Sequence, residues 1–145
     1  MKKFVFPFIL IITVILLSAC APSSGVLAIN DTWARSAFTG DNGAVYFVIE
    51  NGTDKADALI SASTDVASSA ETHMTMVNSQ DVVTMQMQDA VQVPAGEDIP
   101  FEPGGLHIML VNLTRDLKVG DTITLTLQFE KAGEITLQVE VKEQP

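Results

Sequence analysis

The chain has one cysteine, Cys20, among 145 residues. A single cysteine excludes a disulfide framework and any zinc centre built on several thiolates. Basic residues are also scarce, with eight Lys and Arg against 18 Asp and Glu. Nucleic acid phosphates and anionic lipid headgroups are repelled by such a balance, so neither is an electrostatic partner. There are only two histidines, His73 and His107. Paired carboxylates in a glycine-rich context, a nucleophile elbow and a spaced Ser–His pairing are all missing, which argues against an enzyme with a catalytic residue set. No apolar run reaches the length of a membrane-spanning helix.

The longest apolar run, Phe4 to Leu17, follows Met1-Lys2-Lys3 and reads as a secretory leader. It ends Leu17-Ser18-Ala19-Cys20, which resembles the lipobox of bacterial lipoproteins. Residues 1–19 are therefore expected to be a lipoprotein signal peptide, and residues 20–25 a tether lipidated at Cys20. An acyl anchor would then be the chain's only hold on a membrane. Removal of Lys2 and Lys3 leaves six basic residues against 18 acidic ones, a net charge of −12. With Cys20 acylated, a metal site has no thiolate, and imidazole and thioether remain as the soft donors.

Roughly 120 residues follow, enough for one domain with its own core. Helical periodicity is absent, and short β-branched runs alternate with turn residues. Strands are expected at 26–35, 44–50, 57–63, 70–77, 82–87 and 106–113, with shorter pieces at 91–93 and 99–102. Thr64 to Ser69 reads as a loop. Two long strands close the chain. Ile123, Leu125, Leu127 and Phe129 share one face of the first, and odd-numbered residues from Ile135 to Val141 share one face of the second. The class is all-β, an antiparallel two-sheet sandwich.

All methionines after Met1 and both histidines fall within residues 73–109: His73, Met74, Met76, Met85, Met87, His107 and Met109. His107 and Met109 are two apart on a strand, so both leave the same face. The preceding Pro103-Gly104-Gly105 turns the chain sharply and brings His107 near one end of the sandwich. Upstream, Asn78-Ser79-Gln80-Asp81 reads as a hairpin turn. A three-residue loop at 78–80 pairs His73 with Met85, whereas a two-residue turn at 79–80 pairs Met74 with Met85. Methionine also fills β cores, and Met74, Met76 and Met87 fit that role. Uncharged sulfur and imidazole donors favour Cu(I) over hard dications.

The stretch resembles the PCuAC family of periplasmic copper chaperones, whose signature is H(M)-X10-M-X21-H-X-M. Met85 and His107 enclose 21 residues, and His107-Ile108-Met109 supplies the closing H-X-M. Ten residues separate Met74 from Met85 and eleven separate His73 from it. Literal spacing thus selects Met74. Residue type selects His73 with one extra residue in the hairpin, where insertions are tolerated, and His73 is the choice made here. Trp33-Ala34-Arg35, Gly43-Ala44-Val45-Tyr46, Pro94-Ala95-Gly96 and Leu117-Lys118-Val119-Gly120-Asp121 are similar to family landmarks, as is Leu125 to Glu130, so the resemblance covers 26–142.

The resemblance implies a cupredoxin-like antiparallel β-sandwich of Greek-key type that binds one Cu(I) outside the cytoplasm through His73, Met85, His107 and Met109. It further implies delivery toward the CuA centre of cytochrome c oxidase, on subunit II, alongside a Sco-type protein. Two other functions compete. Blue-copper electron transfer requires a cysteine thiolate, which an acylated Cys20 does not supply. A structural or interaction lipoprotein would use the same histidines and methionines only for packing.

Overall fold

The computed structural model describes residues 25–143, so the leader, Cys20 and most of the tether lie outside the described residues. Ten strands follow in chain order: β1 Leu27–Arg35, β2 Gly43–Asn51, β3 Asp57–Thr64, β4 Ala67–Val77, β5 Val83–Met87, β6 Val91–Val93, β7 Asp98–Phe101, β8 Leu106–Leu113, β9 Thr122–Phe129 and β10 Gly133–Lys142. Among the described residues no helix is long and apolar enough to cross a membrane.

The strands form one hydrogen-bonded sheet in the order β5-β4-β8-β7-β2-β1-β10-β9-β3-β6. Two further pairings, β4–β3 and β8–β2, curl it into a flattened barrel with the layering of a sandwich. Most ladders are antiparallel, as alternation implied. The exceptions are two short parallel contacts, β1 with β10 and β7 with β8. Closure also corrects the expected loop at 64–69. Strand β4 already begins at Ala67, where Ala67, Ser69 and Ala70 pair with Leu113, Val111 and Leu110, and Ala70 also pairs with Ala62 of β3. Small side chains read as a loop, yet here their backbone is paired into the sheet.

Period-two patterning decides which side chains point inward. Val45, Phe47 and Ile49 of β2, Ile108 and Leu110 of β8, and Ile123, Leu125, Leu127 and Phe129 of β9 are essentially fully buried. Phe47 and Phe101 stack in this core with ring centres 4.4 Å apart. Each such side chain contributes about 1.5–3 kcal/mol through burial. The alternate residues of β2 and β8 therefore stand on the outer side of the wall. Alternation breaks in β1, where the register shifts between Asn30 and Trp33 and Asp31 takes φ of 52°; a second shift falls between Leu59 and Ser61 of β3. The β1 bulge turns Ala34 rather than Trp33 into the core.

Candidate metal centre

The outer face of three adjacent strands, β5, β4 and β8, carries the candidate ligands. His73 of β4 is the register partner of His107 on β8 and of Met87 on β5. One row along, Thr75 pairs with Met85, and on the other side Glu71 pairs with Met109. Paired residues of an antiparallel ladder project from the same face. His73, Met85, His107 and Met109 therefore share one face. Met74 pairs with Leu106 and Gln86 and points the other way.

Neither expected hairpin register occurs. The observed pairing of Val77 with Val83 leaves a five-residue turn, 78–82. Asn78 builds it: its Oδ1 accepts from the backbone N–H groups of Gln80 (2.9 Å) and Val82 (3.0 Å), and Asp81 adopts φ of 57°. Relative to a three-residue loop this moves the strands by two residues, which preserves the face. Met85 consequently stands opposite Thr75, with His73 in the next row. The position in the fold also differs from a sandwich mouth, because these side chains lie on the outside of the wall.

A groove of about 510 Å³ runs over this face and is lined by Met85, His107, Met109 and Thr75. Its far wall is the β1–β2 connection, including Phe38 and Asn42. His73, which is not part of this lining, is 8% exposed, and His107 is 5% exposed. Met85, which lines the groove, is 58% exposed.

Each imidazole is held by a specific acceptor. His107 Nδ1 lies 3.2 Å from the carbonyl oxygen of Gly105. A carbonyl only accepts, so Nδ1 carries the proton and Nε2 keeps its lone pair. The same carbonyl accepts the Thr75 N–H at 3.1 Å, fixing β4 to the turn. Gly104 makes that turn possible at φ of 84°. His73 Nε2 lies 3.0 Å from Glu71 Oε2, and His73 Nδ1 is buried with no hydrogen-bond partner. A buried nitrogen without a partner costs about 1–3 kcal/mol, a cost that a bound ion would relieve. The two ring centres are 6.0 Å apart. An ion about 2.0–2.1 Å from an imidazole nitrogen stands roughly 3.2 Å from the ring centre, so the distance between ring centres is of the size that two rings sharing one ion would have.

Burial pulls the His107 pKa below 6.5, the Gly105 carbonyl partly opposes this, and His73 lowers it further. The shift favours the neutral, ligand-competent form of the ring. Tyr46 backs His107 at 6.3 Å between ring centres and is itself covered by Trp33 at 4.6 Å. Burial raises the Tyr46 pKa, with nearby Arg35 acting in the opposite sense, so the phenol stays protonated. Asn42 donates from Nδ2 toward Met109 Sδ at 3.9 Å, and its Oδ1 accepts the Asn112 N–H at 3.0 Å. Among the described residues no three His, Cys, Asp or Glu side chains gather as a metal site.

Glu71, Asn42 and Tyr46 were not anticipated as parts of the site. Glu71 is two residues before His73 on the same strand, so the same-face rule could have found it. Asn42 lies in a loop, and its reach to Met109 depends on chain closure that the sequence pattern does not reveal.

The barrel and its His–Met groove define a PCuAC-like, cupredoxin-like domain. Solved structures bear this out: the "Copper-bound PCuAC domain from PmoF2" superposes with a TM-score of 0.67 at 27% identity, covering 82% of this chain and 97% of that one. The "Apo PCuAC domain from PmoF1" gives 0.69 at 26% identity, over 82% and 98% of the two chains. The Cu(I)-bound solution structure of DR1885 from Deinococcus radiodurans gives 0.62 at 26% identity, over 86% and 84%. The chain belongs to the LpqE-like family, whose model, described as "Putative lipoprotein LpqE-like", matches residues 27–141. Among curated relatives, "Putative lipoprotein Lxx21020" of Leifsonia xyli is 29% identical over 79% of this chain and 69% of its own length. "Uncharacterized protein RP573" of Rickettsia prowazekii is 30% identical over 83% and 68%.

Proposed function

We propose that the protein is an extracytoplasmic Cu(I) carrier rather than an enzyme, and that copper is its cargo. His73, Met85, His107 and Met109 bind one ion, and acylated Cys20 tethers the domain to the membrane. The observation that carries this reading is the shared outer face of the two histidines and of Met85 and Met109, with a buried His73 nitrogen lacking a partner. Two imidazoles and two thioethers form a neutral, soft donor set suited to Cu(I). The exposed Met85 gives a recipient's ligands a point of entry, so the ion can leave by stepwise exchange rather than by unfolding of the site.

Likeness to copper-bound PCuAC structures and to relatives named as lipoproteins supports the reading. The recipient proposed is the CuA site on subunit II of cytochrome c oxidase, with a Sco-type protein assisting. Anaerobic Cu(I) titration against a competing chromophoric chelator is the test. One ion per chain is expected, with at least tenfold weaker binding in His107→Ala and Met109→Ala, about 1.4 kcal/mol each. Binding by both variants as tight as that of the parent would place the site elsewhere. Mixing the Cu(I)-loaded protein with a soluble apo subunit II domain and following copper transfer by NMR tests the recipient.

A further inference from the structure

Ser69, Glu71 and His73 alternate along β4 and form a chain on one face. Ser69 Oγ donates to Glu71 Oε1 at 2.9 Å, and the other carboxylate oxygen, Oε2, lies 3.0 Å from His73 Nε2. Glu71 is thus fixed at one oxygen and holds the ring with the other. The carboxylate side chain is partly exposed at 34%, whereas the His73 side chain is 11% exposed. An ionised carboxylate accepts and cannot donate, so the nitrogen facing it must be the protonated one. The lone pair of His73 is therefore on Nδ1, the buried atom with no partner. At His107 the arrangement is inverted, since its Nδ1 faces the Gly105 carbonyl.

We propose that Glu71 is a positioning residue that makes His73 bind copper through Nδ1, while the Gly105 carbonyl makes His107 bind through Nε2. The inference rests on the carrier reading and adds to it a residue and an atom assignment. Nδ1 is the ring nitrogen nearer the backbone, so a His73 bound through it keeps the ion low against the sheet. His73 does not line the groove, while Met85, His107 and Met109 do. The thioethers then close over the ion from the solvent side. Carboxylate partners of metal-bound histidines generally hold the tautomer and raise ligand basicity, and their loss costs 10–100-fold in affinity. A carboxylate beside the site also supplies negative charge to balance a monovalent cation without itself being a ligand.

Long-range ¹⁵N–¹H correlation spectra of the protein, apo and loaded with Cu(I), test this directly. In the apo protein near pH 8, His73 should be the Nε2–H tautomer and His107 the Nδ1–H tautomer. On Cu(I) addition, His73 Nδ1 and His107 Nε2 should shift while the other two nitrogens keep their protons. Glu71→Ala should populate both His73 tautomers and weaken Cu(I) binding roughly tenfold or more. Glu71→Gln, whose amide oxygen still accepts, should restore most of both. A shift of His73 Nε2 instead of Nδ1, or a Glu71→Ala variant identical to the parent in tautomer and affinity, overturns the inference. In those cases the Met85 and Met109 methyl signals still move with copper, and the carrier reading stands. If no signal moves, both fall.

Discussion

His73 and His107 face each other across the β4–β8 ladder, with ring centres 6.0 Å apart and their planes inclined by 39°. Each ring is tied on one nitrogen, one to a carboxylate and the other to a backbone carbonyl, which leaves one lone pair free on each. The methionines then differ by position rather than by type, and this difference has consequences.

Met85, which lines the groove, should matter to copper, and Met74 should not. Met85→Ala is expected to weaken Cu(I) binding at least tenfold, about 1.4 kcal/mol. Met74→Leu should leave affinity unchanged, because its side chain leaves the opposite face from His73. Met87 stands opposite His73 but does not line the groove with His107, so Met87→Ala should change affinity less than Met85→Ala does. Competition titrations of the three variants check the order. Equal losses for Met74 and Met85 would contradict it.

The stability of the apo domain should fall in acid in two separate windows. Burial holds folded His107 below 6.5, so near pH 6 the unfolded chain binds the proton more readily. Its contribution is present above 6.5 and is lost as pH falls through the lower folded value. Glu71 is held below 4.5 by its hydrogen bonds from His73 and Ser69, so its contribution is lost only under more acidic conditions. Urea midpoints measured between pH 7.5 and 5 should decline for the parent and decline less for His107→Gln. Parallel curves would show that His107 does not set the slope.

Asp57 should act on stability alone. Burial by itself raises its pKa, but backbone N–H groups of Lys131, Ala58 and Ala132 outweigh this and hold it below 3.8. Those bonds, at 2.7–2.9 Å, pin the β9–β10 turn to the start of β3. Asp57→Ala would leave buried donors unpaired and should cost about 2–3 kcal/mol. The stabilisation should be present above 3.8 and vanish as pH falls through the lower folded value. Cu(I) affinity should be unchanged. Chemical denaturation together with a copper titration separates the two effects.

Strand positions were readable because alternation survives wherever one face is buried, as in Ile123 to Phe129 and Ile135 to Val141. Two features escaped. The small residues Ala67 to Ser69 carry no apolar alternation, yet barrel closure makes them strand. The turn at 78–82 depends on the Asn78 side chain capping two N–H groups and on a positive φ at Asp81, which composition does not specify. The grouping of His73, Met85, His107 and Met109 on one face tolerated that error, since a two-residue shift conserves sidedness. Glu71, by contrast, was within reach of the i, i+2 rule. A lone carboxylate does not by itself suggest a soft-metal site.

X-ray absorption of the anaerobically Cu(I)-loaded protein tests the central claim most directly. The account predicts a copper edge typical of Cu(I), with two nitrogen neighbours near 2.0 Å and two sulfurs at about 2.3 Å, and one sulfur fewer in Met109→Ala. A first shell without sulfur, or an unchanged sulfur count in that variant, would contradict it.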